Sequence, residues 1–295
     1  MRPITKVGVL LVAMLAPAGL AAQERLDRRI PIASDASIRI LNLAGSIRVT
    51  GWNKDTLAVR GILPGGAGKF FYMGGKGRVA KLGVDLPESD NREQSADLEV
   101  FVPVRAKVWV KAATADIQIS DFSGGLDLYS VSGVIRVRGT PQQVSAESMD
   151  GAVDLVVTTP FARVKTASGN ITLSGSAEDV SATTVGGTVE VRDQGFQRAR
   201  FESVTGNITY TGPVPKGSSL TLESHSGSIE VTVPAATEAE IDVNSFQGEI
   251  RNDLSSVKPA PVRERGGREL SFTLGLGGAD ISIRNFKGNV VLKRR

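Results

Sequence analysis

The chain has 295 residues, with no cysteine, one histidine and a net charge of +4. The lack of cysteine excludes disulfide cross-links and thiolate metal sites. The 35 basic and 31 acidic residues nearly balance, so the composition gives no reason to expect a nucleic-acid partner.

Residues 1–22 are predicted to be a signal peptide. Arg2 and Lys6 precede the apolar run "VGVLLVAMLAPAGLAA", which is short for a membrane span and ends at small residues suited to cleavage. An uncleaved N-terminal anchor is the alternative. No later run is long enough to be a transmembrane span. We therefore expect secretion across the inner membrane to the periplasm, the cell envelope or the extracellular space.

The next segment, "SIRILNLAGSIRV", alternates apolar and polar residues on both sides of Gly45. This alternation predicts two short strands joined by a turn. Residues 63–95 then contain "PGGAGKFFYMGGKG" and "LPESDNREQSAD", in which glycine, proline and charged residues replace the alternation. This region is predicted to be a loop that leaves the regular fold.

From about residue 108 to 252 the sequence repeats itself every 18 to 21 residues. Apolar residues stand seven and five positions before each repeat glycine and two and four positions after it, with Asn252 as the exception. Each unit is therefore predicted to be two strands with one buried face each, and stacked units would share a core. The turn glycines, which need a positive φ or the absence of a Cβ, are Gly45, Gly133, Gly151, Gly169, Gly187, Gly206, Gly227, Gly248 and Gly288.

A hydroxyl residue stands three positions before each of the seven central glycines. Its position points inward, so we predict a structural ladder in which each hydroxyl bonds a neighbouring coil. A row of nucleophiles is disfavoured, because the single histidine, His225, lies beside one of them only. The predicted ladder consists of Ser130, Ser148, Thr166, Thr184, Ser203, Ser224 and Ser245.

Residues 252–268, which include "SSVKPAPVRERGG", are predicted to be a second loop before the pattern resumes in "ISIRNFKGNVVLK". Residues 23–295 are thus expected to form a single all-β domain. The predicted architecture is a parallel β-solenoid with about 18–21 residues per coil, right-handed by the general preference of parallel crossover connections.

Few residues suggest chemistry. Asp150 and Asp154 lie near one turn, but Ser168 and Thr172 occupy the equivalent places in the next coil. Tyr129 is the only outward aromatic residue in the repeat columns, and His225 has no histidine or cysteine partner. We predict no catalytic, metal or cofactor site, and we do not expect an enzyme.

With these columns established, the sequence resembles the bacterial putative-adhesin family, a group of secreted or envelope-attached β-solenoid domains. "SIRILNLAGSIRVTGWNKDTLAVRG" is similar to the opening segment of that family, with its Asn-x-x-Gly and Gly-Trp motifs. "SVSGVIRV", "TASGNITL", "SVTGNITY" and "SHSGSIEV" are similar to its repeated coils. The resemblance covers most of the chain after residue 22 and implies surface adhesion without catalytic residues.

The functional hypothesis is a non-enzymatic secreted or cell-envelope protein that acts in adhesin-like binding or as a structural scaffold. Its partner is expected to be a protein or polysaccharide of the envelope or cell surface. Two alternatives remain open. One is a carbohydrate-active β-helix enzyme with a degenerate site, and the other is a periplasmic module in envelope-stress signalling.

Overall fold

The computed structural model describes residues 24–64, 67–85, 95–262 and 266–295. The predicted signal peptide, residues 1–22, lies outside these ranges. The described residues form one hydrogen-bonded sheet of 24 strands and a single 3₁₀ turn at Ala67–Phe70. In chain order the strands are β1 (Glu24–Pro31), β2 (Ser37–Asn42), β3 (Gly45–Trp52), β4 (Thr56–Leu63), β5 (Phe71–Lys76), β6 (Val79–Val84), β7 (Ala96–Pro103), β8 (Lys107–Ala112), β9 (Asp116–Phe122), β10 (Gly125–Ser130), β11 (Ile135–Gly139), β12 (Gln143–Ser148), β13 (Val153–Thr166), β14 (Ile171–Thr184), β15 (Val189–Ser203), β16 (Ile208–Thr211), β17 (Ser219–Ser224), β18 (Ile229–Val233), β19 (Ala239–Ser245), β20 (Ile250–Asn252), β21 (Ala260–Pro261), β22 (Arg268–Leu274), β23 (Asp280–Asn285) and β24 (Val290–Arg294).

In the middle of the chain, the strands before and after each turn glycine form one two-stranded layer, and successive layers pair in parallel. Val153, Ile171 and Val189 occupy the same position in three consecutive layers, and all three are buried. The long strand β13 pairs with β11 through its first half and with β12 through its second half, so it belongs to two layers. Side chains alternate between a buried and an exposed face along each strand. A shift of one residue would exchange the two faces, so the alternation fixes the register between layers.

The prediction of an all-β fold is confirmed, but the sheet is mixed rather than purely parallel. Antiparallel pairs occur at both ends of the stack, between β1 and β4, β4 and β7, and β5 and β6 at one end. At the other end β19 pairs with β22, and β22 pairs with β21. These strands lie against layers that would otherwise expose unpaired backbone groups.

The order of the layers departs from the order of the sequence at both ends. The last layer, β23 and β24, lies between β17 and β18 on one side and β19 and β20 on the other. Likewise β2 and β3 lie between β6 and β7 on one side and β8 and β9 on the other. Each terminal layer is thus inserted as the last but one of the stack.

Part of the region 63–95 is not the loop that the sequence indicated. Strands β5 and β6 form an antiparallel hairpin, and β6 adds in parallel to β2 with Ala80 and Leu82 buried. The short alternation in "VAKLGV" is hidden by neighbouring glycines, which weaken the pattern. Residues 65–66 and 86–94 of this region lie outside the described part.

The second irregular region, 252–268, begins where β20 ends. The Asn252 side chain donates to the Val257 carbonyl oxygen at 3.0 Å and accepts from the Leu254 amide at 3.0 Å, so it holds the loop that follows. Asn252 occupies a repeat position that is apolar in the other units, and the chain leaves the stack at this residue. The chain returns through β21 and β22, and residues 263–265 lie outside the described part.

The central turn glycines lie directly on one another. A Cβ on any of them would sit 2.5–2.8 Å from the carbonyl carbon of the turn residue in the next layer, and closer still to its oxygen. Side chains are excluded here by this close backbone approach rather than by a positive φ, which only Gly45 of the nine has, at 103°. The contacts run from Gly227 to Gly288 and from Gly288 to Gly248, which follows the order of the layers.

The column of hydroxyls is buried beneath these turns. Thr166 donates to the Gly169 carbonyl oxygen of its own turn at 2.6 Å, and its Oγ1 lies 2.9 Å from Thr184 Oγ1 of the next layer. Ser203 and Ser224 accept from the amides of Gly206 and Gly227 at 2.8 and 3.0 Å. Most of these bonds close the turn to which the hydroxyl belongs, and fewer cross between layers.

One buried tyrosine interrupts the aliphatic core. Tyr210 stacks on Phe201 with ring centroids 6.5 Å apart, and its hydroxyl donates to the Pro213 carbonyl oxygen at 2.5 Å. Burial, with a smaller contribution from the charge of Asp193, raises the pKa of Tyr210 well above its ordinary value. The neutral phenol is therefore the form that the fold stabilises.

Candidate functional site

A groove with a volume of about 650 Å³ lies near the C-terminal end of the stack. One side is the outward surface of β15, β17, β23 and β19, and the other is lined by Val262, Gly266 and Arg268. The groove therefore spans layers that are distant in sequence but adjacent in the stack. It is named the C-terminal groove below.

Aromatic rings from three layers line this groove. His225, Phe286 and Phe246 each stand two residues before a turn glycine, so the layer order places them one above another. Phe286 stacks between His225 and Phe246 with ring centroids 4.8 Å apart on both sides and ring planes within 9°. The ring edges face solvent, and Phe246 and Phe286 are 42% and 37% exposed.

An ion-pair network borders the rings. Glu223 contacts Arg200 at 3.5 Å and Arg284 at 3.7 Å, and Arg200 also bonds Glu202. That bond to Glu202 is the main reason why the pKa of Arg200 is raised, so its guanidinium is charged throughout the physiological range. Both signs of charge thus lie beside an exposed apolar surface.

On the opposite wall, the Val262 amide donates to the Gly267 carbonyl oxygen at 3.1 Å. Gly267 has a φ of 93°, and a Cβ there would lie 2.9 Å from the Phe246 Cα. Glycine therefore allows this wall to approach Phe246 closely. Arg268 lies beside it and forms no ion pair with any described residue.

Several residues singled out from the sequence have other surroundings. Asp150 accepts a hydrogen bond from Ser168 at 2.6 Å, and Asp154 contacts Arg138 at 3.9 Å, so neither faces a second carboxylate. His225 contributes a ring to the aromatic stack. Within the described ranges, no group of three or more His, Asp or Glu side chains is arranged to hold a metal ion.

The predicted ladder and the groove share residues. Thr184, Ser203, Ser224 and Ser245 lie along the inner side of the groove, where all four are buried. Their column was predicted to be a structural ladder with bonds to neighbouring coils. The hydrogen bonds of these four hydroxyls to the turn glycines instead join each one to the backbone of its own turn, and the structural role stays a prediction.

Two buried side chains were missed in this column. Asn42 donates to the Ala96 carbonyl oxygen at 2.7 Å. Asn285 donates to the Gly227 carbonyl oxygen at 2.8 Å and accepts from the Gly288 amide at 2.7 Å. Both stand three residues before a turn glycine, in the two inserted layers, and alignment on Gly45 and Gly288 could have found them.

The aromatic stack was also missed. Phe246 and Phe286 occur 40 positions apart in the sequence, and only the inserted layer brings them into contact. The signal was the column two residues before the glycines, which is apolar and exposed at Met149, Val185 and Val204 as well.

In the described part of the chain, no helix has the length and hydropathy needed to cross a membrane.

Comparisons with known proteins agree with this fold. Residues 156–293 match the family Toastrack DUF4097. The chain is similar in structure to a putative lipid binding protein from Parabacteroides distasonis, with 12% identity, 92% of this chain and 96% of that chain covered, and a TM-score of 0.56. A putative adhesin from Parabacteroides merdae is also similar, with 12% identity, 91% and 96% covered, and a TM-score of 0.54.

At this level of identity the two similar structures indicate a common fold only. No curated protein matches the chain. Residues 156–293 are therefore similar to the Toastrack DUF4097 family, and the resemblance of the chain to the bacterial putative-adhesin family is confirmed.

Proposed function

We propose that the protein is a non-enzymatic binding scaffold of the bacterial cell envelope, and that its C-terminal groove holds an extended segment of a partner protein. The groove is lined by strands of consecutive hydrogen-bonded layers, and this pairing restrains its shape. A rigid site loses little conformational entropy when it binds, which favours affinity.

The observation that carries this proposal is the exposed stack of His225, Phe286 and Phe246 beside paired arginines and glutamates. Aromatic and arginine side chains are enriched in the cores of protein interfaces and dominate their binding energy. Charges of both signs beside an exposed aromatic surface suit an extended polypeptide, whose backbone and side chains can pair with both. The names putative adhesin and putative lipid binding protein of two similar structures are both compatible with a non-enzymatic binding role.

The proposed location follows from the sequence of residues 1–22. A cleaved signal peptide would deliver the remaining chain across the inner membrane, to the periplasm, the envelope or the outside of the cell. Fractionation of cells that produce the tagged chain, with N-terminal sequencing of the product, tests this part. Recovery of the full-length chain in the cytoplasm would contradict it.

Site-specific photocross-linking in the host bacterium tests the groove. Phe286 is replaced by p-benzoylphenylalanine, and Tyr72, an exposed aromatic residue at the opposite end of the stack, receives the same replacement as a matched control. We expect an adduct from position 286 that maps by mass spectrometry to one segment of one envelope protein. Position 72 should not give it, and Arg284→Glu should remove it.

Two results would refute the proposal. One is the same set of adducts from positions 286 and 72, because it would mean that the groove has no selective partner. The other is an adduct at 286 that maps to lipid and contains no peptide.

A further inference from the structure

A second surface, in other layers of the stack, has a different chemistry. Trp109 on β8 points outward and is 39% exposed, although large aromatic side chains are seldom left in water without a function. Trp109 belongs to the layer that precedes the unit of Gly133, where the aligned repeat columns begin. For that reason Tyr129 was the only outward aromatic residue in those columns. The register places Trp109 beside Asp127 and places Tyr129 beside Lys111.

These four side chains line a depression of about 420 Å³, together with Ser145 and Glu147 of the following layer. The register pairs Tyr129 with Glu147, so carboxylates lie next to both rings. The strands β8, β10 and β12 form its floor, and their parallel pairing makes that floor flat and continuous. The depression thus combines two aromatic rings with several hydrogen-bonding groups.

The charged side chains that line this depression do not form ion pairs with one another. Asp127, Glu147 and Lys111 form no ion pair with any described residue, whereas Glu223 in the C-terminal groove contacts two arginines. Lys111 Nζ lies 5.8 Å from the centre of the Tyr129 ring. Two acceptor carboxylates and one ammonium donor therefore remain available to a ligand.

We propose that this depression binds a neutral oligosaccharide. The apolar face of a pyranose ring would lie on the Trp109 indole, which offers a large apolar surface beside polar groups. Sugar hydroxyls would donate to the carboxylates of Asp127 and Glu147 and accept from Lys111 Nζ. Uronic acids are disfavoured, since their carboxylates would meet two like charges. The proposal does not depend on the C-terminal groove.

Tryptophan fluorescence and calorimetry of the purified protein test this site, with maltohexaose, cellohexaose and chitohexaose as neutral probes and an oligogalacturonate as the anionic one. The chain has two tryptophans, and Trp52 is partly buried with its indole N–H bonded to the Thr56 carbonyl oxygen. We expect at least one neutral probe to shift the emission. Trp109→Ala should abolish binding, while Trp52→Phe should leave the affinity unchanged.

Graded variants separate recognition from folding. Trp109→Phe keeps an aromatic ring and should bind with reduced affinity, and Asp127→Asn and Glu147→Gln should each weaken binding at least tenfold. Glu249→Gln makes the same carboxylate-to-amide change at an exposed residue of another layer outside the depression, so it is the matched control and should have no effect. Melting curves verify that each variant is folded.

Three results would overturn the proposal. The first is no binding of any neutral probe to the unmodified protein, and the second is unchanged binding by folded Trp109→Ala. The third is binding of the oligogalacturonate alone. Release of new reducing ends from a bound probe would instead support a carbohydrate-active enzyme and would contradict a binding-only site.

Discussion

A single methyl group added at Gly187 should disrupt the stack. The Cβ of Gly187→Ala would lie 2.6 Å from the carbonyl carbon of Gly169, whereas ordinary contact begins at about 3.4 Å. Both groups belong to the backbone, so no side chain can rotate away. Two layers that hydrogen bonds hold about 4.8 Å apart would have to separate locally by nearly 1 Å.

The cost has two parts. Overpacking in a well-packed interior typically costs about 1–3 kcal/mol. The separation would also stretch the bond from the Ile171 amide to the Thr188 carbonyl oxygen, now 2.8 Å, and the bond from the Gly186 amide to the Ala167 carbonyl oxygen, now 2.7 Å. Each such bond contributes about 0.5–1.5 kcal/mol. We therefore expect Gly187→Ala to lower the free energy of unfolding by about 3 kcal/mol or more.

The neighbouring glycine provides the control. A Cβ at Gly186 would meet nothing closer than 3.8 Å, and its φ is not in the left-handed region. Gly186→Ala should therefore leave the folded state unchanged. It should stabilise the protein by up to about 1 kcal/mol, because alanine restricts the unfolded chain.

Urea unfolding followed by far-ultraviolet circular dichroism measures both variants, with the midpoint and slope fitted separately. A lower midpoint for Gly187→Ala alone is the expected result. Equal midpoints for the two variants, or a Gly187→Ala protein as stable as the unmodified one, would refute the close approach of turns between layers.

Two further predictions concern buried polar side chains. Asn285→Ala should cost about 2–4 kcal/mol in urea unfolding, because the buried Gly227 carbonyl and Gly288 amide each lose a partner. Asn285→Ser should restore only the bond within its own turn and recover about half, and an Asn285→Ser protein as stable as the unmodified one would contradict the bond between layers. Tyr210→Phe should cost about 1 kcal/mol near neutral pH, where the hydroxyl bond to Pro213 is lost. Because the pKa of Tyr210 is raised in the fold, the unfolded chain releases this proton from about pH 10 upward while the folded chain keeps it. The unmodified protein should then lose up to about 1.4 kcal/mol of stability per pH unit relative to Tyr210→Phe; an unchanged difference between pH 8 and pH 11 would contradict the burial of this phenol.

The sequence was sufficient to predict which side chains face inward. Ile171 and Val189 were placed in one buried column because a strand with one buried face tolerates no shift of a single residue. The turn glycines were found for the same reason, since their spacing follows the layers. Of the two reasons given for glycine at these turns, the absence of a Cβ applies to most of them. Their φ is not positive, and the neighbouring backbone leaves no room for a side chain.

The candidate sites could not be predicted in the same way. Phe286 and Phe246 come together only because another layer is inserted between the layers of Gly227 and Gly248. Trp109 and Asp127 can be read from the sequence. Whether the charged residues around them are paired with one another depends on the three-dimensional structure, and a repeat pattern does not contain that information. The local alternation of apolar and polar residues determines which side chains are buried. The pairing of strands that are distant in sequence determines which exposed side chains meet in the groove and in the depression.

Layer order is the property that the repeat left undetermined. Every layer presents the same inward columns, so the pattern is equally satisfied by β23 stacked after β20 or inserted before β19. What distinguishes the inserted layers is the column three residues before the glycine, where Asn42 and Asn285 replace the hydroxyls. A longer amide side chain can bond its own turn and also reach the backbone of another layer, which a serine seldom does here. Each inserted layer is held by backbone pairing on both sides, with β2 between β6 and β8 and β23 between β17 and β19. The asparagines therefore lie where the stack most needs bonds between layers that are not consecutive in sequence.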